Sequence, residues 1–141
     1  MTEDADAARL IAAAGALAGE FRTSEDCVAG GVGAALLSRS GRVYTGVCFD
    51  TGCGMGFCAE HAAVAEMLKA RESEIAMVVA VVADGSVLPP CGRCRELMWQ
   101  VDARNRDTRV VLAPDRTVSL AELLPQPWST GFAPPPASAT G

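Results

Sequence analysis

The sequence predicts a three-layer α/β/α domain, in which helices cover both faces of a central mixed sheet. Three observations support this: apolar residues recur at helical spacing near the N-terminus, an uninterrupted apolar run occupies the middle of the chain, and strand-like and helix-like segments alternate after it. The 141 residues suit one domain, because a chain of this length buries roughly two-thirds of the surface that it exposes when unfolded. We predict a single domain over residues 1–128 and a Pro-rich, flexible tail over residues 129–141.

The first half of the chain is predicted to contain two helices and a hairpin. In the first helix, apolar residues recur every three or four positions as far as Phe21, which indicates one buried stripe. A loop begins at about residue 23, and two strands joined by a tight turn follow it. The second helix comes after a glycine-containing loop at 50–56 and is apolar on most sides. The predicted elements are a helix at 5–19, a strand at 32–37, a strand at 43–49 and a helix at 58–71.

The second half is predicted to alternate strands and helices. The apolar run at 75–83 is too short for a membrane and is typical of a central strand that is covered on both faces. Two prolines end it, and a helix at 91–102, a strand at 109–113 and a helix at 120–124 with Ser119 as N-cap follow. Strand–helix–strand units require right-handed crossovers, so we expect parallel pairing across the second and the third helix.

The composition limits which binding partners and which cellular compartment we expect. A net charge of −5 argues against a nucleic acid polymer, which is bound through clustered Lys and Arg, so a small molecule is the expected partner. The N-terminus is acidic and no apolar run approaches the ~20 residues that span a bilayer, so we expect a cytoplasmic protein without a membrane segment. In that setting the six cysteines are expected to be reduced and in part to bind metal.

Two short motifs carry the chemistry, Cys58-Ala59-Glu60 and Pro90-Cys91-Gly92-Arg93-Cys94. Zinc takes thiolate ligands in a tetrahedron, and a catalytic site keeps one of the four positions open for water. Cys91 and Cys94 can face one point from the first turn of a helix, and Cys58 can reach it from the neighbouring helix. Glu60 is close enough to accept a proton from that water and pass it to a substrate. The motifs therefore predict one Zn²⁺ ion with three cysteine ligands and Glu60 as the catalytic proton shuttle.

The two motifs resemble those of the cytidine deaminase superfamily, in its Cys-Ala-Glu, three-cysteine branch of small nucleoside deaminases. Segments 24–26, 41–47 and 122–125, with Trp128 nearby, are most similar to the blasticidin S deaminases, and the resemblance covers about residues 24–128. It implies zinc-dependent hydrolytic deamination of a cytosine-type nucleoside or analogue, such as cytidine, deoxycytidine or blasticidin S, to the uracil form with release of ammonia. It also implies one zinc ion per subunit, a homo-oligomer (a tetramer or a dimer), and contacts from the backbone of Ala59 and Pro90 to the substrate ring.

The chain departs from the family where the substrate's sugar is bound. Ordinary cytidine deaminases carry an Asn-x-Glu pair shortly before the first zinc cysteine, and counting back from Cys58 places Val47 and Phe49 there. Apolar side chains cannot bind sugar hydroxyls, so Asp50 or Thr51 is the candidate replacement. Trp128 or Phe132 could cover the substrate ring.

A second departure concerns charge at the metal. Three thiolates on Zn²⁺ leave a formal charge of −1, and many family members offset it with an arginine directly after Cys-Ala-Glu, where this chain has His61. Arg93 or Arg95 could supply that charge, and so could His61 if it is protonated.

Two alternative functions remain open at the level of sequence. One keeps the chemistry but changes the substrate to a free base or an unusual pyrimidine or triazine, because the missing sugar pair no longer demands a nucleoside. The other is a non-catalytic zinc-binding domain with a closed tetrahedral site, in which Cys53 or His61 is the fourth ligand.

Overall fold

A seven-stranded mixed sheet forms the middle layer of the protein. The structure is a computed structural model that describes residues 2–132, so the predicted tail beyond residue 132 lies outside the described residues. The elements are α1 (Thr2–Leu17), β1 (Phe21–Ser24), β2 (Cys27–Ser38), β3 (Val43–Thr51), α2 (Ala59–Lys69), β4 (Ile75–Val82), β5 (Val87–Leu88), α3 (Gly92–Val101), a 3₁₀ turn (Ala103–Asp107), β6 (Arg109–Ala113), β7 (Arg116–Ser119), α4 (Leu120–Leu123) and a second 3₁₀ turn (Trp128–Gly131).

Helices cover both faces of this sheet, which confirms the predicted fold class. Alternate residues of β2 and β4 point to opposite faces, as the period of a strand requires. Leu10 and Ala14 of α1 pack on one face with Leu37, Val79 and Val81. The other face packs against α2 and α3 through a larger cluster, which includes Leu36, Val64, Met67, Val78, Met98 and Val110.

The strand order explains which of the two predicted parallel pairings forms. β4 and β6, joined through α3, pair in parallel as predicted. β3 and β4, joined through α2, run in the same direction but do not pair, because β2 lies between them and is antiparallel to both. The expectation of direct parallel pairing across α2 is therefore wrong, since the first hairpin places β2 in the position next to β4.

The structure also corrects the prediction near the N-terminus. α1 ends at Leu17, and Phe21 lies on β1 with 53% of its surface exposed, so it is not part of the helix stripe. β2 begins at Cys27 and includes much of the predicted loop. The β2–β3 pairing shifts register between Ala29 and Gly33, and Gly30 has a positive φ of 82°. Because of this irregularity, the first part of β2 does not show a simple alternation of apolar and polar residues.

Short or polar strands were missed as well. β1, β5 and β7 are edge strands of two to four residues without a continuous apolar pattern. The last predicted helix is confirmed as α4, and Ser119 caps it in a reciprocal capping box with Glu122. No helix in the part of the chain described, 2–132, is long and apolar enough to cross a membrane.

A buried asparagine fixes the end of α3 to the start of β4. The Asn105 side chain is fully buried and accepts a hydrogen bond from the Ile75 backbone N–H at 2.7 Å. Its amide group donates to the carbonyl oxygens of Ser73 and Met98 at 3.0 and 2.9 Å. Because its buried polar atoms are satisfied by two different segments, residues 73–75 and α3, Asn105 holds the helix that carries Cys94 in register with the sheet.

α2 lies unusually close to β3. A Cβ atom added at Gly46 would lie 2.6 Å from the backbone nitrogen of Ala63 and closer still to the side chain of Ala62. Glycine is therefore required for α2 to pack at this depth. The contact lies in the first turns of α2, the helix that starts with Ala59 and Glu60.

We expect Gly46→Ala to lower the free energy of unfolding by about 1–3 kcal/mol, because the added methyl group overpacks a backbone contact. Urea unfolding followed by circular dichroism measures this. Gly19→Ala is the matched control, since a Cβ atom there meets no atom within 4 Å; it should change stability by less than about 0.5 kcal/mol. Equal stability of the two variants would show that α2 does not depend on Gly46.

Candidate active site

Two of the predicted zinc ligands are helix N-caps. Cys58 precedes α2 with φ −70° and ψ 157°, and Cys91 precedes α3 with φ −69° and ψ 169°. Both helices therefore begin one residue later than predicted, after an extended cysteine. The unpaired backbone N–H groups of a helix N-terminus favour negative charge, so both positions suit a thiolate. Cys94 follows in the first turn of α3 and is fully buried.

The three thiols converge on one point. The Sγ atoms of Cys58 and Cys91 are 3.4 Å apart, and those of Cys91 and Cys94 are 3.5 Å apart. Zn–S bonds of about 2.3 Å in a tetrahedron correspond to sulfur–sulfur distances of about 3.8 Å. The side chains as they stand therefore need only small movements to surround a zinc ion.

His61 supplies a fourth donor atom at the same point. Its Nδ1 lies 3.6 Å from the Cys94 Sγ, and the donor atoms of Cys58, His61 and Cys94 all lie within 4.8 Å of one another. These three residues are thus positioned to hold one metal ion. Geometry alone admits two ligand sets, the three thiols or two thiols with the imidazole.

Glu60 stands beside the cysteines without being exposed to bulk solvent. It is 5% exposed, and its Oε2 accepts a hydrogen bond from the Cys94 thiol at 2.9 Å. It lies in the first turn of α2, two residues after Cys58. The structure therefore brings together the carboxylate and the three thiols that the two motifs predict.

Burial and neighbouring groups shift the pKa values of these residues. Burial, followed by the charge of Glu60, raises the pKa of the Cys94 thiol well above its ordinary value. Burial also raises the pKa of Cys58. Burial acts in the same direction on Cys91, but backbone N–H groups of Cys94 and Arg93 and the Cys58 thiol stabilise its thiolate, so its pKa is lowered. Without metal, Cys91 is therefore the one of these three thiols that ionises most readily.

His61 is held in its neutral form. Burial and the nearby charge of Arg93 lower its pKa, against a smaller opposing effect of Glu60. Its ring stacks on Phe57, with centroids 5.8 Å apart. Burial and Arg93 therefore both favour the neutral form of His61, which makes Arg93 and Arg95 the stronger candidates for offsetting the thiolate charge.

Arg95 and Arg93 occupy different places around the cysteines. Arg95 donates through Nε to the Pro90 carbonyl at 2.8 Å and through Nη1 to the Leu123 carbonyl at 3.1 Å. It thus ties the segment before Cys91 to the end of α4. Arg93 is exposed and lines the cavity beside the cysteines, whereas Arg95 is not among its lining residues.

A cavity of about 360 Å³ opens beside the thiols and Glu60. This volume lies within the range of small-molecule sites, roughly 300–1,000 Å³. Its wall is formed by Val32, Cys48, Asp50, Gly56, Phe57, Cys58, Ala59, Glu60, Leu88, Pro89, Cys91 and Arg93. Asp50 and Ala59 thus lie where a substrate contact was predicted, and Pro90 lies next to Glu60 in a smaller adjoining cavity.

The residues of β3 that face the cavity differ from those inferred by counting back from Cys58. Cys48 and Asp50 face the cavity, whereas the side chain of Phe49 packs on Phe57 with ring centroids 4.6 Å apart. Val47 is not among the lining residues either, so Cys48 and Asp50 are the positions to compare with a sugar-binding pair. Cys48 was missed because counting back from Cys58 through the loop does not show which residues of β3 face the cavity.

Two other candidates for substrate binding lie elsewhere. The Thr51 hydroxyl accepts a hydrogen bond from the Met55 N–H at 2.8 Å, within its own loop. Trp128 is 64% exposed, its backbone N–H donates to Glu96 Oε1 at 2.6 Å, and its ring lies 4.5 Å from that of Phe132. Within residues 2–132, Trp128 is not among the residues that line the cavity.

Comparison with known proteins agrees with this architecture. Residues 6–112 match the family model of the cytidine and deoxycytidylate deaminase zinc-binding region. The chain is 35% identical over 95 residues to a cytidine deaminase of Mycobacterium tuberculosis, which covers 67% of this chain and 69% of that protein. The crystal structure of a cytidine deaminase from Mycobacterium tuberculosis superposes with a TM-score of 0.74 at 30% identity, covering 87% of this chain and 97% of that chain. The crystal structure of a cytidine deaminase from Burkholderia pseudomallei superposes with a TM-score of 0.68 at 28% identity, covering 86% of this chain and 98% of that chain.

These similarities confirm, at the level of the family, the expected zinc-dependent hydrolytic deaminase. They do not extend to the more specific resemblance to the blasticidin S deaminases. The matched region includes α2 and α3 with both cysteine motifs. The chain therefore belongs to the cytidine and deoxycytidylate deaminase zinc-binding family.

Proposed function

We propose that the protein hydrolytically deaminates the cytosine ring of a small nucleoside or nucleoside analogue, with release of ammonia and formation of the uracil form. The observation that carries this proposal is the position of Glu60. Its carboxylate is almost fully buried, contacts Cys94 at 2.9 Å and lines the cavity that opens beside the three thiols. A zinc site with only a structural role would not require a carboxylate there.

In the proposed reaction, Cys58, Cys91 and Cys94 would hold the zinc ion. When bound, zinc would polarise a water molecule and make it a better nucleophile toward C4 of the ring. Glu60 accepts one proton of this water as the water oxygen bonds to C4, and it delivers that proton to ring N3. Glu60 then takes the proton of the new C4 hydroxyl group and passes it to the amino group, so that the C4–N bond breaks, ammonia leaves and a C4 carbonyl forms. Burial keeps Glu60 away from bulk water, so the proton passes between the carboxylate and the substrate.

The backbone around the two motifs would orient the ring. Ala59 lines the cavity in the first turn of α2, where backbone N–H groups lack helical partners, so this turn is suited to bind the ring carbonyl. The Pro90 carbonyl accepts one hydrogen bond from Arg95. A carbonyl oxygen has a second lone pair, which leaves it able to accept from the substrate's amino group.

Cytidine and deoxycytidine are the leading substrates, with blasticidin S as the analogue suggested by sequence segments outside the zinc motifs. A cavity of about 360 Å³ has room beyond a pyrimidine ring, which favours a nucleoside over a free base. Deamination of free cytosine or of a related ring is the second candidate, because Val32, Cys48 and Leu88 offer few polar contacts to a sugar.

We also infer a cytoplasmic homo-oligomer, a tetramer or a dimer, that does not bind nucleic acid polymers. Trp128 and Phe132 support the oligomer, because 64% and 59% of their surfaces are exposed next to each other. The net charge of −5 supports the exclusion of nucleic acid.

The proposal is tested by measuring bound zinc and then ammonia release from cytidine, deoxycytidine, blasticidin S and cytosine, with guanine as the purine control. We expect about one zinc per chain and turnover of at least one cytosine nucleoside or analogue at more than 100 times the rate without enzyme. A folded, zinc-loaded protein that releases no ammonia from any of these compounds would contradict the proposed function and favour a structural zinc domain.

A further inference from the structure

Two of the six cysteines lie together in a cavity away from the proposed zinc site. Three cysteines form that site, and Cys48 lines the active-site cavity. The other two, Cys27 and Cys53, line a separate cavity of about 490 Å³. All six cysteines are free thiols. The proposed reaction therefore leaves unused one pair of thiols that share a cavity.

Strand pairing brings these two cysteines to neighbouring positions. Cys27 begins β2 and lies directly opposite Thr51, the last residue of β3. The pairing continues one residue further, because the Gly52 N–H donates to the Asp26 carbonyl oxygen at 3.0 Å. The Thr51 hydroxyl lies 3.9 Å from the Cys53 sulfur, so both side chains are on the side of the strand pair that Cys27 occupies. Cys53 is therefore a diagonal neighbour of Cys27.

The backbone at Cys53 allows the remaining distance to close. Diagonal cross-strand neighbours typically have Cα atoms about 7–8 Å apart, and a disulfide needs about 4.4–6.8 Å. Cys53 lies in a turn that is closed by a hydrogen bond from the Gly54 N–H to the Thr51 carbonyl oxygen at 3.0 Å. Glycines flank Cys53 on both sides and change their backbone angles at low cost. A shift of about 1–2 Å in this turn therefore brings the two sulfurs within bonding distance.

The two thiols differ in exposure, which gives them different roles. Cys53 is exposed and Cys27 is half-buried. A small disulfide in solution therefore reaches Cys53 first, because thiol–disulfide exchange requires access to the attacking sulfur. Cys27 is then the neighbouring thiol that attacks the mixed disulfide from within the protein.

We propose that Cys27 and Cys53 form a reversible disulfide in response to small disulfides such as oxidised glutathione. The Cys53 thiolate attacks one sulfur of the small disulfide, so that a mixed disulfide forms and one small thiol leaves. The Cys27 thiolate then attacks the Cys53 sulfur and releases the second small thiol. The two protein thiols lose two protons and two electrons, and the small disulfide takes up both to become two thiols. In a reducing compartment, such a transient bond is typical of redox sensing.

The bond restrains one wall of the active-site cavity. The segment that follows Cys53 leads to Gly56 and Phe57, which line that cavity. The Phe57 carbonyl oxygen accepts a hydrogen bond from the Phe49 N–H at 3.2 Å, so residues 50–56 form a loop that is closed at its base. A bond from Cys53 to β2 holds the same loop near its middle. This restraint does not depend on which reaction the site catalyses.

The test treats the zinc-loaded full chain with oxidised glutathione, alkylates the remaining thiols and maps the peptides by mass spectrometry without reduction. Chymotrypsin cleaves after Phe49 and Phe57, which places Cys48 and Cys53 on separate peptides. We expect a peptide pair linked through Cys27 and Cys53 in most chains, and its loss after treatment with dithiothreitol.

Three variants make the assignment specific. Cys27→Ser should keep a stable glutathione adduct on Cys53, because the thiol that resolves the mixed disulfide is missing. Cys53→Ser should form neither the linkage nor an adduct at Cys27. Cys48→Ser is the matched control: it removes a thiol outside this pair and should form the linkage as readily as the unsubstituted chain.

Hydrogen exchange gives a second measurement, which does not depend on catalysis. The backbone amides of residues 52–57 should exchange at least tenfold more slowly in the oxidised protein than in the reduced one, and Cys53→Ser should show no such change. Equal exchange in the linked and reduced proteins would overturn the restraint on the loop. Cys27 and Cys53 that both stay reduced, a lasting glutathione adduct on Cys53 of the unsubstituted chain, or a disulfide to Cys48 or to a second chain would overturn the proposed pair.

Discussion

Glu60→Gln is expected to lower kcat for deamination by on the order of 10³-fold while the protein keeps its zinc. Glutamine has the shape of glutamate but cannot accept the proton of the attacking water, and positioned acid–base groups typically contribute about 10²–10⁴-fold. Zinc should remain, because the proposed ligands are the thiols. The measurements are ammonia release at saturating substrate and zinc content by atomic absorption.

Glu96→Gln is the matched control for this substitution. Glu96 lies on α3 close in sequence to the zinc cysteines, but its carboxylate contacts the backbone of Trp128 and the side chain of Gln100. Glutamine can still accept the Trp128 hydrogen bond, so kcat should stay within about threefold of the unsubstituted enzyme. If Glu60→Gln kept more than a tenth of the activity, Glu60 would not be the proton shuttle.

The second large effect separates the two possible ligand sets. If the three thiols hold the ion, Cys91→Ser should weaken zinc binding by on the order of 10²–10³-fold, because one of three protein ligands is lost. His61→Asn should change zinc affinity by less than about tenfold, as for a group that contacts a ligand but not the metal. Competition with a chromogenic chelator measures both affinities.

Cys53→Ser controls for the loss of a thiol as such. Cys53 is exposed in the loop after β3, and its closest polar contact is the Thr51 hydroxyl at 3.9 Å. Its substitution should leave zinc affinity unchanged. The opposite pattern, in which His61→Asn loses zinc and Cys91→Ser retains it, would assign the site to Cys58, His61 and Cys94.

Much of the architecture could be predicted from the sequence, because the helices and the central strand have strong local patterns. The apolar run that became β4, the helices after each cysteine motif and the Ser119 cap follow from residues close together in the chain. The edge strands and the start of β2 could not be predicted in the same way. They depend on hydrogen bonds to distant partners and on a glycine-containing irregularity.

The candidate active site also combines features that follow from the local sequence with features that depend on distant contacts. The motifs by themselves predict thiols and a carboxylate at one place, since each group is close to the start of a helix in the sequence. They do not predict that Arg95 would be occupied with two carbonyl groups, nor that Trp128 would bond to α3 and lie outside the cavity wall. Those contacts join segments that are far apart in the chain.

The sequence by itself determined the reaction class, because zinc chemistry and proton transfer need particular atoms, and these are present in Cys58, Cys91, Cys94 and Glu60. Only the tertiary structure decided which side chains line the cavity beside these residues. Cys48 and Asp50 face the cavity instead of Val47 and Phe49 because the pairing of β3 with β2 and the path of the loop after it set which face of the strand is turned inward. A change of one residue in the register of a strand turns every side chain to the opposite face of the sheet. The register depends on pairing with distant segments, so the sequence of the strand alone does not determine it.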